Sequence, residues 1–152
     1  MRVELTDEAA TLEFGAKLAS AIPSLPEGAL KVALQGDLGA GKTTLTRGFL
    51  RSLGVIGSVR SPTFSLLETY ELDPLTVVHL DLYRLRDSGD VRGLGLADHD
   101  HRGCLWMVEW PERAAGALGR FDLEVTLRVA GDGRQLELSA GTEAGRQWLQ
   151  AL

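Results

Sequence analysis

Gly36-Asp37-Leu38-Gly39-Ala40-Gly41-Lys42-Thr43 is the segment on which the reading of this chain turns. It fits the pattern G-x-x-x-x-G-K-[ST] at every fixed position. Its glycines allow a tight loop whose amides point inward and make a concavity for an anion. Leu30–Gln35, just before it, reads as a buried strand; about 42–53, stopped by Gly54, reads as a helix. In that setting the helix adds its N-terminal amides and the positive end of its dipole. The Lys42 ammonium neutralises β and γ phosphates, and the Thr43 hydroxyl faces Mg2+. A chance match in a chain of this length is rarer than about 1%. Lys42 is also one of only three lysines, with Lys17 and Lys31.

A phosphate loop needs a carboxylate at the end of a neighbouring strand to hold Mg2+, directly or through water. Two acids qualify. Asp81 follows the β-branched run Thr76–Leu80, and Glu109 falls within the apolar run Cys104–Trp110. Ligands of open α/β sheets bind at such C-terminal strand ends. Either acid alone could be a solvated strand end, but the loop requires one of them. The expectation assigns Asp81 to the Mg2+ shell and Glu109 to the metal or the attacking water. Ser61-Pro62-Thr63-Phe64 lies where a loop could cover the γ phosphate, with Thr63 as a switch-like hydroxyl; a Pro-fixed turn is the plain alternative.

The rest of the chain alternates strands and helices. Arg2–Leu5 reads as a strand, and Thr6-Asp7-Glu8 supplies a cap hydroxyl and first-turn acids for a helix near 8–21. Leu66–Leu72 reads as extended and 86–103 as an exposed excursion rich in charge, Gly and His. Pro111 starts a short helix. Strands at 122–130 and 134–139 flank Gly131-Asp132-Gly133, whose Asp-Gly step favours a hairpin turn. A last helix from about 142 contains Trp148. The expected fold is α/β: a P-loop NTPase-like, three-layer arrangement with a mixed sheet and a late antiparallel hairpin, in a single domain over 1–152.

Composition narrows the function. The 152 residues are 44% hydrophobic and 24% charged, ordinary for a globular protein. A net charge of −5 makes a broad electrostatic grip on nucleic acid a poor expectation. Apolar runs fall well short of the ~20 residues that cross a bilayer. One cysteine, Cys104, excludes an internal disulfide; with no apparent signal peptide, a reducing cytoplasm is expected. The Asp98-His99-Asp100-His101 cluster reads as a solvated loop rather than a metal site, and Cys104 and His79 read as structural. There is no asparagine, so an Asn-Lys-x-Asp guanine reader is impossible and adenine nucleotide is the better expectation. Three function classes stay open from the residues alone: an ATPase, a small-molecule kinase using the arginines at 84, 86, 92 and 102 as a lid, and a nucleotide-dependent interaction module without significant turnover.

Together with the loop, Ser61-Pro62-Thr63-Phe64, His79-Leu80-Asp81-Leu82-Tyr83-Arg84-Leu85 and Val108-Glu109-Trp110-Pro111 make the chain resemble the TsaE (YjeE) family, over most of its length and in the right order. The resemblance implies a small P-loop ATPase that hydrolyses ATP slowly with Mg2+. It implies support of TsaD and TsaB in forming threonylcarbamoyladenosine beside the anticodon of tRNA, with tRNA reached through those partners. It places Gly39, Ala40, Gly41, Lys42, Thr43 and Thr44 on the phosphates, with Gly36 opening the loop. Thr43 and Glu109 fall on Mg2+, and Asp81 in the metal or catalytic shell. An early-helix threonine, Thr11, and a late-hairpin arginine, Arg134, fall near the nucleotide. Lys42, Asp81 and Glu109 are thus the expected catalytic residues. Leu80 stands where the family usually has an aromatic residue, and Leu96-Ala97-Asp98-His99-Asp100 replaces an acidic, aromatic stretch.

Overall fold

Leu30, Val32, Ala33 and Leu34 are each at most 1% exposed, so the strand before the glycine-rich loop is covered on both faces. A computed structural model describes residues 1–62 and 64–152 of the chain and places that strand at the centre of a mixed sheet. The strands are β1 (Arg2–Leu5), β2 (Leu30–Gln35), β3 (Leu67–Glu71), β4 (Thr76–Asp81), β5 (Cys104–Glu109), β6 (Leu123–Ala130) and β7 (Gly133–Ala140), in the order β1-β7-β6-β2-β5-β4-β3. β6, β2, β5 and β4 run parallel; β3 on one side and the β6–β7 hairpin with β1 on the other are antiparallel. The α/β fold with a mixed sheet and a late hairpin is as expected.

Helices α1 (Glu8–Ser20), α2 (Lys42–Ser52) and α3 (Glu143–Ala151) cover one face. Phe14, Leu18, Leu45, Phe49 and Trp148 meet Val32, Leu34, Leu105 and Leu138 there. The Trp148 indole donates to the Leu18 carbonyl at 2.9 Å, tying α3 to α1. α1 and α2 approach through Gly15 and Gly48, where an added Cβ would strike the facing backbone, at Leu45 and Leu12 respectively. The helix is capped by the Asp7 carboxylate, which accepts from the Ala10 amide at 2.8 Å, and not by the hydroxyl of Thr6.

The second face corrects the reading of 86–103 as an excursion. Two short 3-10 helices, Ser88–Leu94 and Leu96–His99, fold back on the sheet. Leu82, Leu85, Val91 and Leu96 are buried against Val78, Leu80, Trp106 and Val108. Asp100 accepts from the Ala29 amide at 3.0 Å and pairs with Lys31 at 3.3 Å, and the Trp106 indole donates to the His99 carbonyl, so the Asp98–His101 stretch is a tether. The hairpin loop is Gly131-Asp132, with the left-handed φ of 60° on Gly131 and Gly133 already paired with Ala130. Gly133 is needed instead for β1, because a Cβ there would collide with the Leu5 carbonyl. Among the described residues no helix is long and apolar enough to cross a membrane.

Candidate functional site

Parallel pairing brings three strand ends to one edge. Leu34 of β2 and Asp81 of β4 are both register partners of Glu109 on β5. The glycine-rich loop leaves β2 at that edge, so both acids face it across adjacent strands, where open sheets bind ligands. The loop's backbone demands its glycines. Gly36 has φ 145° and lies against the Leu127 carbonyl; Gly41 has φ 105° at the start of α2, with Thr11 and Arg134 beside it. Arg134 braces the loop through its carbonyls. Its Nε donates to the Ala40 carbonyl at 2.9 Å, Nη2 to Gly39 at 3.2 Å and Nη1 to Gly133 at 2.7 Å. With the Gly39 and Ala40 carbonyls turned toward the guanidinium and the Ala40 amide donating to the Asp37 carbonyl, the other amides of the loop are left for a ligand.

Lys42 is only 5% exposed and folds its ammonium against the loop, donating to the Gly36 carbonyl at 2.6 Å and Asp37 at 2.9 Å. Burial holds its pKa below the usual 10.5, and the nearby Glu109 and Asp81 charges oppose that shift. The ammonium also lies 4.3 Å from the centroid of the Trp110 ring. Trp110 reaches this position because its backbone turns left-handed, φ 58°, directly after β5. Such a conformation in a bulky residue marks a place where the surroundings impose it. Tyr83 packs against Trp110 at 5.0 Å, and the Arg113 guanidinium sits over Tyr83 at 5.4 Å.

The acids occupy different surroundings. Glu109 is 3% exposed; the Thr43 hydroxyl donates to its two oxygens at 2.8 and 3.1 Å, and His79 Nε2 lies 2.8 Å from Oε1. Asp81 is partly exposed, accepting from the Ser61 hydroxyl and, at 3.0 Å, from the Tyr83 amide. Thr43, Glu109 and Asp81 offer only hard oxygen. Among the described residues no cluster of three or more His, Cys, Asp or Glu forms a cage of its own. That set suits Mg2+, which takes one or two carboxylates and completes its shell with water and substrate phosphates.

The cavity over the loop has a volume of about 480 Å3, within the ~300–1,000 Å3 common for small-ligand sites. Of the expected site residues, Thr11, Gly39, Gly41, Lys42, Thr43, Thr44, Asp81, Glu109 and Arg134 line it. Gly36 and Ala40 belong to the loop but do not line the cavity; Ala40 is 1% exposed and its carbonyl accepts from Arg134. Ser61 is at the site, whereas Thr63 lies outside the described residues. Glu8 and Tyr83 also line the cavity and were not expected there. Tyr83 has a signal: it sits two residues past Asp81, on the loop leaving the same strand end. Glu8 has none beyond its place one turn before Thr11. His79, read as merely structural, touches Glu109. Strand alternation shows which face a residue takes but not what it meets there.

The family profile described as "Threonylcarbamoyl adenosine biosynthesis protein TsaE" matches residues 5–136. The chain is 40% identical over 148 residues to the tRNA threonylcarbamoyladenosine biosynthesis protein TsaE of Haemophilus influenzae, covering 97% of this chain and 94% of that protein. It is 38% identical over 111 residues to the protein of the same name from Treponema pallidum, covering 73% and 81%. Among solved structures, the crystal structure of YdiB from Bacillus subtilis superposes with a TM-score of 0.75 at 27% identity, over 99% of this chain and 91% of that one.

Proposed function

The chain belongs to the TsaE family, and on that premise we propose that it binds ATP with Mg2+ and hydrolyses it in support of threonylcarbamoyladenosine formation on tRNA. Its partners on this reading are TsaD and TsaB, tRNA is reached through them, and the work is done in the cytoplasm. The observation that carries the proposal is the contact between Thr43 and Glu109 beside the buried Lys42, at the mouth of a loop with G-x-x-x-x-G-K-[ST] spacing. No structural turn needs a buried ammonium, a nine-tenths-buried carboxylate and a hydroxyl converging on one cavity.

Each group then has a task. Loop amides and the α2 N-terminus receive the β phosphate, and Lys42 leaves its carbonyl partners to bridge β and γ oxygens. Thr43 gives its one hydrogen to Glu109, so its lone pairs face the cavity and the cation. Thr43 and Glu109 would hold Mg2+, which when bound would neutralise charge on the phosphates. Asp81, more open and fixed by Ser61 and the Tyr83 amide, would face the Mg2+ shell, directly or through water. Thr11 and Arg134 bound the opposite wall. The net charge of −5 fits a protein that meets tRNA by way of others.

The deciding experiment follows ADP release with and without TsaD, TsaB and tRNA, with Lys42→Ala as control. Turnover that rises with the partners and vanishes in the variant is the expected outcome. Turnover unchanged by Lys42→Ala, or phosphate delivered to a small acceptor instead of water, overturns the proposal.

A further inference from the structure

β4 is apolar wherever it is buried except at one position. Val77, Val78 and Leu80 are fully buried, and so is His79. An imidazole in that setting is costly unless both nitrogens are satisfied, yet Nδ1 has no partner among the described residues. A proton on Nδ1 would be a buried donor with nothing to accept it. Nε2 therefore carries the hydrogen and donates it to Glu109 Oε1, 2.8 Å away. One orphaned nitrogen is tolerated for the sake of one bond to the carboxylate that also holds Thr43.

We propose that His79 is a positioning residue for the Mg2+–nucleotide site, acting through Glu109 and not on the ligand itself. The inference rests on the functional reading above. Three elements are joined in one line: His79 of β4 donates to Glu109 of β5, which accepts from Thr43 of α2. Thr43 has a single hydrogen, so the orientation of Glu109 decides where the lone pairs of the hydroxyl point. Glu109 is almost wholly buried and has these two side-chain donors. Without His79 it keeps only the partner it is supposed to orient, and the carboxylate is free to rotate. Loss of an outer partner of this kind commonly lowers metal affinity by about 10–100-fold.

The test separates metal from phosphate. ADP affinity is measured with Mg2+ and again with chelator, for the wild type and for His79→Gln, His79→Asn and His79→Phe. A glutamine amide reaches the place of Nε2; an asparagine amide reaches only that of Nδ1. The expected result is that Asn and Phe lose most of the Mg2+-dependent gain in affinity, tenfold or more, while Gln keeps it within a few-fold. Affinities with chelator stay at the wild-type value throughout. Full Mg2+ gain in Asn and Phe, or equal weakening with and without Mg2+, overturns the inference. Should the Phe variant fail to fold, Gln against Asn decides alone, and identical behaviour of those two is a refutation. A wild-type protein that binds no ADP, or gains nothing from Mg2+, defeats the functional reading and this inference with it.

Discussion

Gly48→Ala adds one methyl group where α1 and α2 have no room for it. The new Cβ would lie 2.8 Å from both Cα and the carbonyl carbon of Leu12, and nearer still to that carbonyl's oxygen. Carbon atoms settle at about 3.5–4.0 Å, so the helices must part by at least ~0.7 Å. A gap of that size forfeits about a quarter to a half of each dispersion contact along the seam, which includes Phe14, Leu18, Leu45 and Phe49. Overpacking against backbone belongs at the upper end of its usual ~1–3 kcal/mol, because a carbonyl cannot rotate away as a side chain can. Alanine returns about 1 kcal/mol of helix propensity. The net loss is about 2 kcal/mol, or a melting temperature lower by roughly 4–8 °C for a chain of this size. Gly15→Ala should behave alike, its Cβ lying 2.8 Å from the Phe49 nitrogen. The double variant should cost less than the sum, since the helices part only once. Gly93→Ala, with nothing within 4 Å of its Cβ, is the control and should stay within about 0.5 kcal/mol. Calorimetric melting of the wild type and the four variants settles it. A Gly48→Ala protein that melts at or above the wild type would show that the close approach is not a constraint.

Nucleotide affinity should fall as pH rises toward 10.5, because the phosphates need charged Lys42 and burial makes that charge leave early. Between the lowered value and 10.5 the unfolded chain binds the extra proton, so this group's contribution to folding stability rises with pH while affinity drops. Constant ADP affinity up to about 10.5 would contradict this. Arg134→Ala should weaken ADP binding about tenfold or more, since the Gly39 and Ala40 carbonyls lose their donor and the loop relaxes; unchanged affinity would remove its bracing role. Asp100→Ala should cost about 1 kcal/mol near neutral pH, reduced by the partial exposure of the pair with Lys31. The Ala29 amide, and then Lys31, hold this carboxyl below its usual 3.8, so the contribution is present above that value and lost as pH falls through the lowered one. Denaturant melts of wild type and variant should converge in strong acid; a difference that persists there argues against it.

What was legible from the sequence was whatever depends on neighbours along the chain. The loop, its flanking strand and helix, and the placing of Asp81 and Glu109 at strand ends all follow from local pattern, and the sheet brought them together. What was not legible depends on contacts across it. Gly15, Gly48 and Gly133 are demanded by the backbones of Leu45, Leu12 and Leu5, and no local pattern tells such a glycine from one in a turn. Val91 and Leu96 were masked by the glycines and charges around them, because a 3-10 turn buries one residue in three and leaves no apolar run. Thr11 and Arg134 came only from family resemblance; the geometry supplies the physical reason, since one flanks Gly41 and the other grips the loop's carbonyls.

The distribution of arginines bears on which of them could serve phosphoryl transfer on the proposed reading. Phosphoryl transfer is accelerated most by a guanidinium placed against the developing charge on the terminal phosphoryl group. Two arginines line the cavity. Arg134 already spends Nε, Nη1 and Nη2 on three carbonyls, and moving it to the phosphate would release the loop it braces. Arg84 is exposed, its guanidinium 5.3 Å from the Phe64 ring, which is itself 90% exposed. A cation stacked on an exposed ring at the rim is held weakly, by about 0.5–1 kcal/mol. On the proposed reading, Arg84 is therefore the arginine of this cavity that is free to approach a terminal phosphate. Turning Arg84 toward a bound phosphate would cost only that weak stack, whereas the same move by Arg134 would release the loop.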